Sequence, residues 1–411
     1  GGWTDNVLNL PQAESDFLFE VAPGLLLTAG SPRAVQSLGY DFTADLFVTH
    51  SEANSYTHQL TWRGFFLPSK VTQLFLSVAA QEGRLNTFNL QSGSALTPVT
   101  VIPAGGVTFF GLIAGEGLGW DITSHWRFDQ SLTFNAFVPL DPRDQPNSLE
   151  VDQHLAASRS WRRDSLGLDY RLDVTEFTAV RGAVMRADGT TDPNGVLSAE
   201  SQIIINSPVV KWRHDFAHFW NVELDGGFVE ASLAGGAQTV WEPAALAAAR
   251  WLHPNGSVEL EYSHTVQPNP LIAETFGIDE VALRGSVPFG VKSHVGLSTS
   301  VAYQYAREID FSTGGQLSTA HVILADATLG WNPIEAVQLF ARYQYFNQIG
   351  FATDPAPQPS FSRNLVMIGV SGKWPGDSAI RVPSRAALRV DRADEVGIPS
   401  PHSAPPAPAK Y

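Results

Sequence analysis

Ser165-Leu-Gly-Leu-Asp-Tyr-Arg-Leu-Asp-Val-Thr-Glu-Phe177 decides the reading of this chain. Leu166, Leu168, Tyr170, Leu172 and Val174 fall on one face of an extended segment; Ser165, Gly167, Asp169, Arg171, Asp173 and Thr175 fall on the other. Side chains of a strand alternate with period two, so the segment has one apolar and one charged face. Just upstream, Trp161-Arg-Arg-Asp164 reads as an aromatic followed by a tight polar turn. This unit of aromatic, short turn, long alternating strand and polar loop returns along almost the whole chain.

Tyr40, Phe42, Ala44, Leu46 and Val48 alternate with Asp41, Thr43, Asp45, Phe47 and Thr49, and Val258, Leu260 and Tyr262 with Glu259, Glu261 and Ser263. Asp16 to Thr28 reads as an opening strand interrupted at Pro23-Gly24. Thr108 to Phe128 reads as one very long strand turning at Asp129-Gln130, and His214-Asp215 as a turn. The connections fall into two alternating classes. Short ones stand at 31–33, 68–69, 129–130, 162–164, 214–217, 253–256, 290–292 and 332–335; longer ones stand at 84–106, 142–150, 179–200, 267–274, 308–316 and 349–361. Loop length sorted by parity is the mark of bacterial outer-membrane barrels, with the short turns periplasmic. A soluble sandwich or propeller has no reason to sort its loops this way.

Aromatics follow the same division. Phe128, Trp161, Trp212, Trp251, Phe289 and Trp331 stand beside expected short turns, Trp220 restarts a strand after one, and Trp374 closes the last strand. Such rings favour a membrane interface, where the ring is apolar and its polar atom stays wet. The expectation is an all-β fold: a single transmembrane antiparallel up-and-down β-barrel of roughly 16–18 strands. Residues 1–15 read as a periplasmic leading segment, 16–374 as the barrel, and 375–411 as a Pro/Ala/Arg-rich periplasmic tail whose composition suits disorder.

Composition fits. No run of about 18 apolar residues exists, which excludes a helical membrane protein but not a barrel, whose lipid-facing residues come every second position. Aromatics make up 11% of the chain, cysteine is absent, and the net charge of −15 argues against a nucleic-acid partner. No nucleophile elbow or phosphate-binding loop stands in context, so an enzyme is not expected. His214 and His218 lie four apart in an expected turn, a poor metal pair. Neither a metal nor a cofactor is expected.

The final strand, Leu365-Val-Met-Ile-Gly-Val-Ser-Gly-Lys-Trp374, resembles the aromatic-ended terminal strand that the barrel-assembly machinery recognises, here placed internally. The run from Asp16 to Asn89, with Glu20-Val-Ala-Pro-Gly24, Ser31-Pro-Arg33 and Tyr40-Asp-Phe42, resembles the outer-membrane barrels of polysaccharide-export and exosortase systems. In size and style it is similar to the exopolysaccharide-secretion barrels of myxobacteria. The resemblance implies a passive conduit for a glycan in the outer membrane of a Gram-negative bacterium. It also implies periplasmic export partners, with outer-membrane lipid and lipopolysaccharide around the wall. The alternative is a diffusion porin for small hydrophilic solutes.

For a channel, function lies in the lumen-facing residues. The alternation nominates Asp41, Asp45, Arg63, Asp169, Arg171, Asp173, Glu259, Glu261, Arg284, Gln338, Arg342 and Gln344. As a set they make a wall of mixed sign with an acidic excess, around a lumen expected to be water-filled. The loop 84–106 is unusually apolar, with Leu96, Val99, Val101 and Ile102, and reads either as an inward constriction or as a surface loop.

Overall fold

Every strand of the wall runs antiparallel to its neighbours, as the alternation predicts. The computed structural model describes residues 1–7, 13–86, 106–140, 146–185, 191–198, 200–216, 219–234, 239–253, 255–269, 274–289, 294–311, 316–334, 336–352 and 360–372. The strands begin with β1 (Gly2–Thr4), β2 (Asp16–Val21), β3 (Gly24–Ser31), β4 (Ala34–Phe47), β5 (Ser55–Phe66), β6 (Thr72–Asn86) and β7 (Gly106–Asp121). They continue with β8 (Trp126–Pro139), β9 (Ser148–Ser160), β10 (Asp164–Phe177), β11 (Val180–Met185), β12 (Thr191–Ser198), β13 (Ser201–Asp215) and β14 (Trp220–Leu233). The last are β15 (Thr239–His253), β16 (Gly256–Asn269), β17 (Glu274–Pro288), β18 (Val295–Ile309), β19 (Gln316–Ile334), β20 (Val337–Ala352) and β21 (Phe361–Gly372). The β11–β12 hairpin stands apart from the wall, in the connection between β10 and β13. Since β2 and β3 both pair with β4, on either side of Pro23, they count as one broken strand, and the closed barrel has 18.

Two turns differ from expectation. Asp129 and Gln130 lie inside β8, and the chain turns at 122–125 instead. There the Thr123 hydroxyl accepts from the amides of His125 (3.2 Å) and Trp126 (3.0 Å), a local bond that outcompetes the ladder. Asp129 stays in the strand because Arg127 donates to it and to Asp121. His214 likewise belongs to β13, where its Nδ1 pairs with Asp164 at 2.8 Å. In the β15–β16 turn, Gly256 adopts a φ of 145°, and a Cβ there would meet the Ser286 carbonyl at 2.7 Å. The expected 375–411 tail and most of loop 84–106 lie outside the described residues.

The outward face is an apolar belt. Leu166, Leu168, Leu260, Leu283, Val301 and Val370 are exposed on it, while the charged set alternates onto the crowded concave side. At the short-turn rim it carries Trp120, Trp126, Trp161, Trp212, Trp220 and Trp331, all exposed. About seven residues up each strand stands a second girdle, of tyrosines whose hydroxyls bond across to a neighbouring strand. Tyr40 pairs with His58 (2.8 Å), Tyr170 with Asn206 (2.8 Å), Tyr262 with Asp279 (2.9 Å), Tyr303 with His321 (2.6 Å) and Tyr343 with Asn364 (2.6 Å). At roughly 2.5 Å of height per tilted residue, the belt between them is about 18 Å tall, the greater part of the ~25 Å apolar band of outer-membrane barrels. Glu116, Gln130 and Gln153 interrupt this belt on the adjacent β7, β8 and β9.

Closure rests on a small element. β1 pairs with β21 (Gly2↔Met367 to Thr4↔Leu365) and with β2 (Gly2↔Leu18 to Thr4↔Asp16). The Asp5 carboxylate clamps this seam, accepting from the Asn364 amide (2.7 Å) and its side-chain Nδ2 (2.6 Å). Below Gly1, towards the short-turn rim, no strand among the described residues separates β3 from β21. Asp5→Ala removes two charge-assisted bonds and should cost about 1–3 kcal/mol. The barrel should then lose its heat-resistant gel migration at lower temperature.

At the long-loop rim, above the belt, Asp16 caps the β4–β5 connection by accepting from Thr49 N (2.9 Å) and His50 N (2.8 Å). The His50 Nε2 lies 2.7 Å from Glu14. The Glu14 hydrogen bond, with Asp16 behind it, holds the imidazole above its ordinary pKa of 6.5. A raised folded value means the contribution is fully present below the unfolded pKa and fades as pH rises through the folded one. Amides of residues 49–50 should therefore exchange faster on the alkaline side, and His50→Gln should flatten that dependence.

Candidate functional site: the inner wall

The ladder register sets the twelve nominated residues on the concave face and resolves them into groups. Around β10, Asp169 binds Lys211 of β13 (2.6 Å) and His154 of β9 (2.7 Å), and Lys211 also reaches Asp225 of β14 (3.7 Å). Arg171 holds Asp152 and lies 3.9 Å from Asp173, which accepts from Thr175 at 2.8 Å. Around β16, Arg250 bridges Glu223 (2.7 Å) and Glu259 (3.0 Å). Arg284 reaches Glu259 (3.6 Å), Glu261 (3.5 Å) and Glu280 (3.7 Å). Arg342 pairs with Asp326 at 2.7 Å.

The remaining five stand elsewhere on the same wall. Asp41 stands opposite Gln59, Arg63 opposite Ser37 and Ser77, Gln338 opposite Ser371, and Gln344 between Asp326 and Leu365. Asp45 is buried and accepts from Ser55 at 3.1 Å. Of the interface aromatics, Phe128 lies in β8 opposite Trp120 and Ala157. Trp161, Trp212, Trp220, Trp251, Phe289 and Trp331 stand at the short-turn rim, and Trp374 lies outside the described residues.

Partners overlooked in the sequence are Asp152, His154, Lys211, Glu223, Asp225, Arg250, Glu280 and Asp326. Their signal was present: Glu150-x-Asp152-x-His154 and Glu223-x-Asp225 alternate as the nominated strands do. Which charges would meet was not visible, because register is set between strands. In the Asp121/Asp129, Asp152/Asp173, Asp169/Asp225, Glu223/Glu259, Glu261/Glu280 and Asp326 pairings, six cations face eleven carboxylates. Glu150, Asp152 and Asp173 bring their oxygens within 4.8 Å of one another, a spacing that could hold a cation. The Arg171 guanidinium already lies against that group.

The inner wall changes character along the axis. In β10 the inward series runs Asp169, Arg171, Asp173, Thr175, Phe177; in β13, read towards the same rim, it runs Arg213, Lys211, Val209, Ser207, Ile205, Ile203. In β14 it runs Glu223, Asp225, Gly227, Val229, Ala231. Phe47, Phe109, Phe137, Phe276, Phe346 and Phe361 occupy inward positions in the long-loop half of their own strands. These phenylalanines, with Phe177, are at most 6% exposed, whereas Arg171, Arg284 and Lys211 are 51%, 48% and 42% exposed. Against the expected uniformly wet lumen, the short-turn half is a charged, half-exposed wall, while in the long-loop half the inward side chains are largely covered, phenylalanines packing among buried polar groups such as Asp45, Gln348 and Arg363.

No protein-family model matches the chain, and no curated protein matches it. Solved structures do. The FrpB iron transporter from Neisseria meningitidis superposes with a TM-score of 0.50 at 8% identity, covering 91% of this chain and 67% of that one. The copper transporter OprC gives 0.48 at 8% identity, covering 87% and 64%. The siderophore receptor PiuA from Acinetobacter baumannii gives 0.45 at 10%, covering 88% and 66%. The chain thus spans about two thirds of the length of these proteins. At such identity the likeness is one of fold: this is a transmembrane β-barrel of the bacterial outer-membrane type.

Lys211 is the hinge of the β9–β14 network. Lys211→Met leaves Asp225 without its cation and Asp169 with His154 alone, and because the lysine is 42% exposed the cost is about 1 kcal/mol. The variant should unfold at lower temperature and shift the bilayer reversal potential further towards cations.

Proposed function

We propose that this chain is a passive conduit through the outer membrane of a Gram-negative bacterium, and that its cargo is a hydrophilic exported polysaccharide. The single observation behind the conduit is the charged, half-exposed inner wall of the short-turn half, set against a predominantly apolar outer face. Backbone in lipid must be paired within the protein, and the closed ladder does this while leaving an axial path. The paired charges present alternating donors and acceptors, which suits neutral sugar hydroxyls, and the carboxylate excess turns away small anions. The resemblance to exopolysaccharide-secretion barrels supports the choice of cargo and implies periplasmic export partners on the short-turn side. Lipopolysaccharide would contact the opposite rim.

A diffusion route for small hydrophilic solutes is the second reading, favoured by the apolar narrowing of the long-loop half. Two measurements decide. In planar bilayers, Asp169→Asn with Glu259→Gln should lower cation preference; unchanged ion selectivity would remove these residues from the pathway. In the native host, loss of the gene should trap glycan in the periplasm with small-solute uptake intact. The reverse result selects the diffusion route.

A further inference from the structure

The β15–β16 ladder stops early. Its last pair is Ala245↔His264, although β15 begins at Thr239 and β16 runs on to Asn269. Above that point the two strands part, and β16 instead touches β13 and β14. The side chains show how. Val266 and Ile309 follow the outward series of β16 and β18, yet they pack in one buried cluster with Phe177, Ile203, Val229 and Ala244 of the inward series. Outward faces of β16–β18 therefore lie against inward faces of β10–β15. The sheet laps over itself, with the upper ends of β16–β18 nearer the axis.

Polar contacts pin the lap. Arg307 of β18 donates to Glu242 of β15 at 3.1 Å, across the two intervening strands. His264 lies 3.7 Å from Glu242 and 2.8 Å from Asp279. On the face turned towards the axis, Phe276, Ile278, Ala306 and Ala320 form a second buried cluster, flanked by the buried polar side chains of Gln304 and Ser318, the latter donating to Glu308 at 2.6 Å. Phe109 stacks on Phe137 at 5.4 Å and Phe346 packs on Phe361 at 5.2 Å further round the rim. Inward side chains of a wide, wet barrel keep contact with water, as Arg171 and Arg284 do. These are covered by protein.

We infer that this lapped, apolar collar is a gate: the barrel is closed at rest in its long-loop half, and cargo passes only when the lap unrolls and the collar wets. A hydrophobic constriction blocks ions and polar solutes by expelling water, without any charged barrier. The inference rests on the conduit reading and adds its regulation. The Glu242–Arg307 pair, rim-proximal and spanning the lap, is the latch whose rupture frees the β16–β18 ends.

The test uses the full chain, refolded and checked by heat-modifiable migration, in planar bilayers and in vesicles swelling in neutral sugars. Wild type should show low conductance and slow swelling. Ile205→Asn, which wets the collar, and Glu242→Gln, which loosens the latch, should each raise both several-fold. Should Ile205→Asn fail to fold, Val229→Thr makes the same test with a near-isosteric change. If wild type conducts as freely as the folded variants, the gate is overturned and the conduit stands. If wild type and variants are all folded and all impermeable, the gate and the conduit reading fall together.

Discussion

A backbone N–H or C=O left unpaired in hydrocarbon costs several kcal/mol, and no water is present to relieve it. That constraint forces this sheet to close on itself. Its consequences run through the molecule: antiparallel neighbours throughout, strands long enough to cross, and outward positions given to Leu, Val and aromatics. The Trp rim and the bonded Tyr girdle mark where the constraint ends, since each ring keeps its polar atom at a wet boundary. The weakest point is the seam, where three residues of β1 and the Asp5 clamp on Asn364 join the last strand to the first.

Inside the cylinder a different penalty operates. Charges gathered on a concave surface are partly withdrawn from water, and several of the cations are shared between two or more carboxylates. Lys211 between Asp169 and Asp225, and Arg250 between Glu223 and Glu259, are examples. The carboxylate excess leaves a net negative field in the short-turn half. Nearer the long loops phenylalanine and branched side chains fill much of the wall, gaining by excluding water, and charges that stand among them, such as Glu242 with Arg307, are bonded. The lap of β16–β18 over β10–β15 serves that exclusion, because an apolar inward face needs a second apolar layer to bury it.

How much of this was legible follows from the range of each interaction. Period-two alternation in 165–177 and the sorting of loop lengths are local, and they were enough for the closed all-β barrel and the concave face of Asp169, Arg171 and Asp173. The turn placed at Asp129-Gln130 failed because two polar residues look like a turn in one dimension. Arg127 and Asp121 make Asp129 a strand residue, and Thr123 makes the turn four residues earlier.

By itself, then, the sequence determined that the chain is an antiparallel barrel of about 16–18 strands and which face most side chains take, since strand periodicity needs no partner; the count of 18 came with the pairing. Only the tertiary structure decided which charges meet, that the inward side chains of the long-loop half are covered, and that β16–β18 slide inside β10–β15. Those depend on register and on where the β15–β16 ladder parts, and both are relations between strands distant in the chain. The Phe177 that ends the opening stretch shows the limit. Its alternation places it inward, but nothing local says that Val266 and Ile309 will be there to cover it.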